Sequence, residues 1–153
     1  MAGEALSNGT LVEVETAPGP PIVYTAIGGI DGDFTAPGVL NEEIEVTGLD
    51  STAREYIGGL SETGETSFQL MLRKEGAGAA TENFQAGQQA LMDLAVSRAI
   101  KSFRFKPPSS LTTKGSTCQG QVKEVRMIAG SKTAVRAAVT IRWTGAPTYV
   151  VIP

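Results

Sequence analysis

Histidine is absent from this chain of 153 residues, and cysteine occurs once. Without an imidazole there is no Ser/His or Cys/His nucleophile pair, and one thiol cannot complete the nitrogen and sulfur ligand set that zinc or copper prefers. Intramolecular disulfides are excluded by count. Cys118 lies in a strand-like run and reads as a small half-buried hydrophobe rather than a reactive thiol. No apolar run approaches the roughly 18 residues of a membrane span, and Met1-Ala2-Gly3-Glu4 opens the chain without the basic and apolar regions of a secretion signal. The expectation is a protein neither secreted nor membrane-spanning. Basic residues are also nearly missing from the first part: residues 1–65 hold 12 acids and one base, Arg54, whereas residues 66–153 hold 4 acids and 12 bases. The two parts, at −11 and +8, should attract each other, within one subunit or between subunits.

What is present fits one β-rich domain. A hydrophobic share of 41% fills one core, and 18 Gly with 8 Pro supply many turns. Thr10–Glu15 sets Val12 and Val14 against Leu11, Glu13 and Glu15, which predicts a strand with one apolar face. Pro18-Gly19-Pro20-Pro21 turns the chain into a short β-branched run, Ile22–Ile27. Thr66–Arg73 alternates cleanly, with Phe68, Leu70 and Leu72 on one face and Gln69, Met71 and Arg73 on the other. After Gly76-Ala77-Gly78, the spacing of Phe84, Gly87, Leu91 and Leu94 predicts a helix capped by Asn83, lying on a sheet. Gly87 inside that stripe costs about 1 kcal/mol relative to Ala, which points to a close backbone approach. Strands follow over Ile100–Lys106, Cys118–Ala129 and Ala134–Trp143, with a polar loop over Ser109–Ser116 and a hairpin turn at Gly130-Ser131-Lys132-Thr133. The predicted fold is mainly β: an antiparallel β-sandwich or incomplete barrel with one flanking α-helix, in a single domain over 1–153.

Three segments do not belong to that core. Residues 1–9 form an N-terminal arm. Residues 28–65 form a long loop with eight Gly and nine acids that nevertheless holds Ile44, Val46, Leu49, Tyr56 and Ile57. Disordered segments are poor in such residues, and structureless loops this long are uncommon, so these side chains need a surface outside the domain. Glu42–Thr47 within it has the alternation of a short strand. Residues 144–153 form a C-terminal extension whose Tyr149, Val150, Val151 and Ile152 look suited to join another surface.

Candidate sites for chemistry are weak. Asp31-Gly32-Asp33 and Glu42 fall at the first, third and twelfth positions of a calcium loop, but Ala36 stands where glycine is needed, Pro37 follows it and no helices flank it. Neither Gly28-Gly29 nor Gly58-Gly59 precedes a helix, so both read as turns and not phosphate cradles. Glu42 and Glu43 have no pocket-forming neighbours for acid–base work. Lys101-Ser102-Phe103-Arg104-Phe105-Lys106 resembles a single-strand nucleic-acid platform, yet Ile100 and the helix stripe need Phe103 and Phe105 as core partners, and a pI near 5.0 lacks the basic footprint. Trp143 reads as a core anchor. No enzyme activity, metal or cofactor is expected.

Taken in order, Gly64-Glu65-Thr66-Ser67-Phe68-Gln69-Leu70, the helical Gly87-Gln88-Gln89-Ala90-Leu91, Ile100-Lys101-Ser102-Phe103-Arg104-Phe105 and Val139-Thr140-Ile141-Arg142-Trp143-Thr144-Gly145-Ala146-Pro147 resemble the tail tube, or major tail, proteins of long-tailed non-contractile bacteriophages, the phage lambda tail tube group. The resemblance covers about Glu62 to Pro147. The lambda-like protein carries a further immunoglobulin-like C-terminal domain with no counterpart in this sequence.

The resemblance implies a structural virion protein that self-assembles into stacked hexameric rings, whose sheets join into one β-barrel through which the DNA genome passes. It further implies tape measure, tail-tip and tail terminator proteins as partners, a place in the virion tail, and assembly in the host cytoplasm. In that family the long loop and the N-terminal arm contact the neighbouring ring. The expected inter-ring anchors are therefore Ile44, Val46, Leu49, Tyr56 and Ile57, with some of Asp31, Asp33, Glu42, Glu43 and Glu45 pairing with bases such as Arg73, Lys123 or Arg136. A lumen that passes DNA should avoid unpaired cations, which makes Gln69, Gln119, Gln121 and Glu124 its candidate residues. The nearby Arg73, Lys123 and Arg126 must then face subunit contacts or pair with acids. The alternatives are a tube subunit of a related bacterial secretion or contractile injection system, a ring-forming tail connector or terminator, and a monomeric ligand-binding barrel.

Overall fold

A computed structural model describes residues 10–50, 52–75, 83–131 and 135–152. The N-terminal arm at 1–9 and the tip of the last hairpin at 132–134 lie outside the described residues. The strands are β1 (Leu11–Ala17), β2 (Val23–Ala26), β3 (Ile30–Asp31), β4 (Leu40–Glu45), β5 (Tyr56–Glu62), β6 (Glu65–Met71), β7 (Ile100–Lys106), β8 (Lys114–Ile128) and β9 (Arg136–Val151), with helix α1 (Ala86–Ser97) between β6 and β7. Seven strands form one antiparallel sheet in the order β2-β1-β7-β8-β9-β6-β3, while β4 and β5 pair only with each other.

The order forces the sheet to curl. β2 and β3 occupy opposite margins, yet only three residues, Ile27–Gly29, separate them. Four extended steps reach about 14 Å, whereas six flat inter-strand gaps would span about 29 Å. The sheet therefore wraps into an incomplete barrel, as the alternation predicted. Ile27 N–H donates to Val12 O at 2.8 Å and Met71 N–H to Gly29 O at 2.7 Å, tying the crossing segment to both margins.

Helix α1 closes that seam, and its sequence explains how. Gly87 lies against the backbone of Ala26 and Ile27, where a Cβ would come within 2.2 Å of Ala26 O, so only glycine permits the approach. One residue on, the fully buried Gln88 donates through Nε2 to Gly28 O and Met71 O, both at 2.8 Å, and accepts from Arg73 N–H at 2.9 Å. Gln89 Oε1 accepts from Phe84 N–H. The N-cap is Gln85, whose side chain accepts from Gln88 N–H, and not Asn83 as the sequence predicted. Phe84 is held back from the helix by a bridge to Lys74. Arg98 ends the helix in the left-handed conformation, φ 60°.

Val12, Val14, Phe68, Leu70, Leu91, Phe103, Val122, Val139 and Ile141 fill the interior. Trp143 packs edge-on to Phe103, and its Nε1 donates to Thr66 Oγ1 at 2.8 Å, satisfying the buried indole. Phe34 stacks on Phe105 and meets Phe68 edge-on. Residues 28–37 are therefore not part of a free loop: Ile30 pairs with Leu70 and Phe34 covers the core.

Two further boundaries move. β8 begins at Lys114, within the expected polar loop, and β9 runs on to Val151, so that Thr144–Val151 pairs with Lys114–Gln119 of its own chain. The C-terminal extension is thus a continuation of the sheet past an irregularity opposite Thr117–Gln119, and Ile152 is buried. Pairing satisfies its backbone locally. No described helix is long and apolar enough to cross a membrane.

Candidate assembly site

The β4–β5 hairpin is the part of the chain that its own domain leaves unpacked. Leu40 pairs with Glu62, Ile44 with Ile57 and Glu45 with Tyr56. Thr47 Oγ1 braces the far end, accepting from Glu55 N–H at 3.0 Å. At the root, Thr63 Oγ1 donates to Gly145 O at 2.8 Å and Trp143 N–H to Gly64 O at 3.0 Å. All five expected anchors are exposed: Ile44 at 48%, Val46 at 42%, Leu49 at 110%, Tyr56 at 50% and Ile57 at 52% of their reference areas. Val39 and Leu40, apolar residues of the same segment not named among the anchors, join them. An isolated two-stranded hairpin is marginally stable in water, so this one is built to be completed by something else. Glu42, Glu43, Glu45, Asp50 and Glu55 surround the apolar residues, against the single base Arg54.

The acids expected to work together divide. Asp31 belongs to the barrel and pairs with Arg136 at 2.8 Å, one of the cations named for that purpose. Asp33 is exposed beside it, and Glu42, Glu43 and Glu45 ride on the hairpin.

The second surface is the polar face of β3, β6, β9 and β8. Cross-strand register sets its rows: Gln69 beside Ala138 and Arg126, Ser67 beside Thr140 and Glu124, Glu65 beside Arg142 and Gln121, and then Thr144 beside Gln119. The four residues expected at a lumen, Gln69, Gln119, Gln121 and Glu124, thus share one face. Gln121 is engaged there, donating to Arg98 O at 2.9 Å. Glu65 was not foreseen. It receives both Lys123 at 3.0 Å and Arg142 at 3.3 Å, and the Lys123 hydrogen bond, above all, holds its carboxyl below the ordinary carboxylate range. Arg126 pairs with Glu124. On the β1–β7 side Arg104 binds Glu13 through Nε at 2.8 Å beneath the Tyr24 ring, and Tyr24 Oη meets Ser102 Oγ at 3.0 Å.

Strand edges form the third feature. β3 covers only Leu70 and Gln69 of β6, and among the described residues no strand pairs with Glu65–Phe68 on that side or with the outer edge of β2. Cys118 is buried, which pushes its thiol pKa up. An open groove of about 460 Å³ beside α1 is lined by Thr16, Phe84, Gln89, Leu94, Ser97 and Lys101 with Glu15, Glu75 and Asp93.

The fold as a whole recurs in solved structures. One is the tail of an empty gene transfer agent particle refined with C6 symmetry, at TM-score 0.66 and 14% identity, covering 97% of this chain and 100% of that one. The fold is a tail tube fold. The SPP1 tail tube matches at TM-score 0.64 and 11% identity over 97% of this chain and 80% of that one. A chain of the anti-feeding prophage baseplate matches at 0.62 and 13% over 99% and 98%. The likeness is to tail tube structures as a group and singles out no lambda-like branch. Neither a known protein family nor a curated protein matches the sequence.

Proposed function

We propose that this chain is a structural tail protein whose copies form hexameric rings that stack into a tube, through which double-stranded DNA passes. The exposed, apolar and acidic β4–β5 hairpin carries the reading. A chain that spends residues 38–62 on a hairpin its own core does not cover needs a neighbour to cover it, and a second copy supplies one at every position of a tube. Four of its five anchors are about half exposed and Leu49 wholly so; burying what remains gains about 1 kcal/mol for each of the four and about 2 kcal/mol for Leu49, or about 4–7 kcal/mol per hairpin. That sum is large compared with what a single exposed ion pair supplies.

Within a ring, the open edges of β2 and β6 offer backbone donors and acceptors to a neighbouring copy, which removes the liability of an unpaired edge. The polar face of β3, β6, β9 and β8 lines the lumen, with Gln69, Gln119, Gln121 and Glu124 on the wall. Ile44, Val46, Leu49, Tyr56 and Ile57 bridge rings, with Glu42, Glu43 and Glu45 beside them; Asp33 stays available at the hairpin's approach, while Asp31 serves its own subunit. Tape measure, tail-tip and terminator proteins would set where the tube starts and stops. The protein assembles in the host cytoplasm and ends in the virion tail. This role requires no catalytic group, metal or cofactor.

Negative-stain electron microscopy and sedimentation at rising concentration test the proposal. Wild-type protein should form hollow tubes or stacked rings, while Tyr56→Ser with Ile57→Ser should stay folded and small. Tubes of normal length from that variant would remove the hairpin from the interface. The likeness to a chain from the sheath/tube terminator of an extracellular contractile injection system favours a second reading, a tube of an injection system. Co-assembly with a sheath protein would distinguish it.

A further inference from the structure

On the face assigned to the lumen, the four cations that β8 and β9 contribute are each held by an acid of the same chain. Lys123 and Arg142 share Glu65, Arg136 binds Asp31 and Arg126 binds Glu124. Of the other cations, Arg104 pairs with Glu13, whereas Arg54, Arg73, Lys74, Arg98, Lys101 and Lys114 make no ion pair among the described residues. Stability does not account for the contrast. Lys123, Arg126 and Arg142 have side chains 57–72% exposed, and exposed pairs contribute about 0–1 kcal/mol each.

We infer that these pairs neutralise the wall toward a polyanion, with Glu65 as the residue that decides whether DNA slides or sticks. The inference rests on the tube reading above. A cation free to meet phosphate releases a counterion and contributes about −0.9 to the slope of log affinity against log salt. A cation already bound to a carboxylate of its own wall has no such gain. Four cations are held by three acids, so the balance depends on the shared one. Glu65 faces two cations at once, and its depressed pKa keeps it charged wherever they are. Removing it frees two positive charges per subunit, repeated around every ring. Glu124 and Asp31 each restrain one. The neutral residues between them, Ser67, Gln69, Thr140 and Gln121, offer hydrogen bonds without net charge.

The test is to assemble tubes from wild type and from Glu65→Gln in the presence of a short labelled DNA duplex, pellet and wash them, and measure retained label from low to physiological salt. Wild-type tubes should retain little. Glu65→Gln tubes should retain DNA with a salt dependence reflecting about two additional phosphate contacts, about a tenfold drop between 50 and 200 mM. Adding Lys123→Gln and Arg142→Gln should restore release, which a merely disturbed fold would not do. Equal retention by wild-type and Glu65→Gln tubes would overturn the inference while leaving the tube reading intact. If Glu65→Gln does not assemble, Glu124→Gln applies the same test through Arg126, expecting one additional contact; unchanged retention there would overturn it equally. Failure of wild-type protein to form tubes would instead defeat the underlying reading.

Discussion

Replacing Gln88 should unfasten the seam of the barrel. Its side chain is fully buried and serves three backbone groups, Gly28 O, Met71 O and Arg73 N–H, at 2.8, 2.8 and 2.9 Å. Gln88→Met keeps the length and most of the volume but removes all three hydrogen bonds. A buried donor or acceptor stripped of its partner costs about 1–3 kcal/mol. Some relief comes from water entering at the Gly28 side, so the net loss should be about 3–5 kcal/mol, at least a fifth of the roughly 5–15 kcal/mol typical of a domain. Gln88→Glu should be at least as harmful, because it keeps an acceptor for Arg73 but buries a charge and loses the donors to two carbonyls. Urea unfolding followed by the fluorescence of Trp143, the only tryptophan, measures this below the concentration at which the protein assembles. A Gln88→Met variant within about 1 kcal/mol of wild type would refute the latch.

Gly87→Ala should lose about 1–3 kcal/mol despite the better helix propensity of alanine, because the new methyl meets Ala26 O at 2.2 Å and Ile27 Cα at 2.7 Å; the same urea titration checks it. Glu65 should titrate below the ordinary carboxylate value of 4.5, and Lys123→Gln should move its NMR-detected midpoint upward. Because the folded-state pKa is depressed, any stability Glu65 lends is present above about 4.5 and is lost as pH falls through the lower folded value. The two proteins should therefore converge in stability at the acid end of that window. Cys118 should react slowly with a thiol reagent in the native protein and rapidly in denaturant, since burial both shields the thiol and raises its pKa; fast native labelling would contradict its place in the core.

The barrel was legible because strand alternation records which face is buried. Val12 and Val14, Phe68 and Leu70, and Val139 and Ile141 each alternate with polar partners, and each pair lies in the core. Gly87 gave away the close helix approach because a helix pays for glycine unless it gains contact. The long acidic segment was harder. Its apolar residues showed that it needed a surface, but pairing Leu40–Glu45 with Tyr56–Glu62 required noticing two similar alternations around Gly48 to Arg54, and Phe34 anchors through partners far away in sequence. The C-terminal continuation of β9 was hidden for a related reason: Gly145-Ala146-Pro147 reads as the end of a strand, and only the facing Lys114–Gln119 shows that pairing resumes beyond it. Glu65 was invisible as a shared acid because Lys123 and Arg142 come to it from two other strands.

Helical reconstruction of the assembled protein by electron cryo-microscopy tests the central claim most directly. The account predicts stacked rings in which Ile44, Val46, Leu49, Tyr56 and Ile57 of one ring are buried against the next, with Gln69, Gln121 and the Glu65 ion pairs lining the bore. An assembly that leaves the β4–β5 hairpin in solvent, or turns that polar face outward, would contradict it.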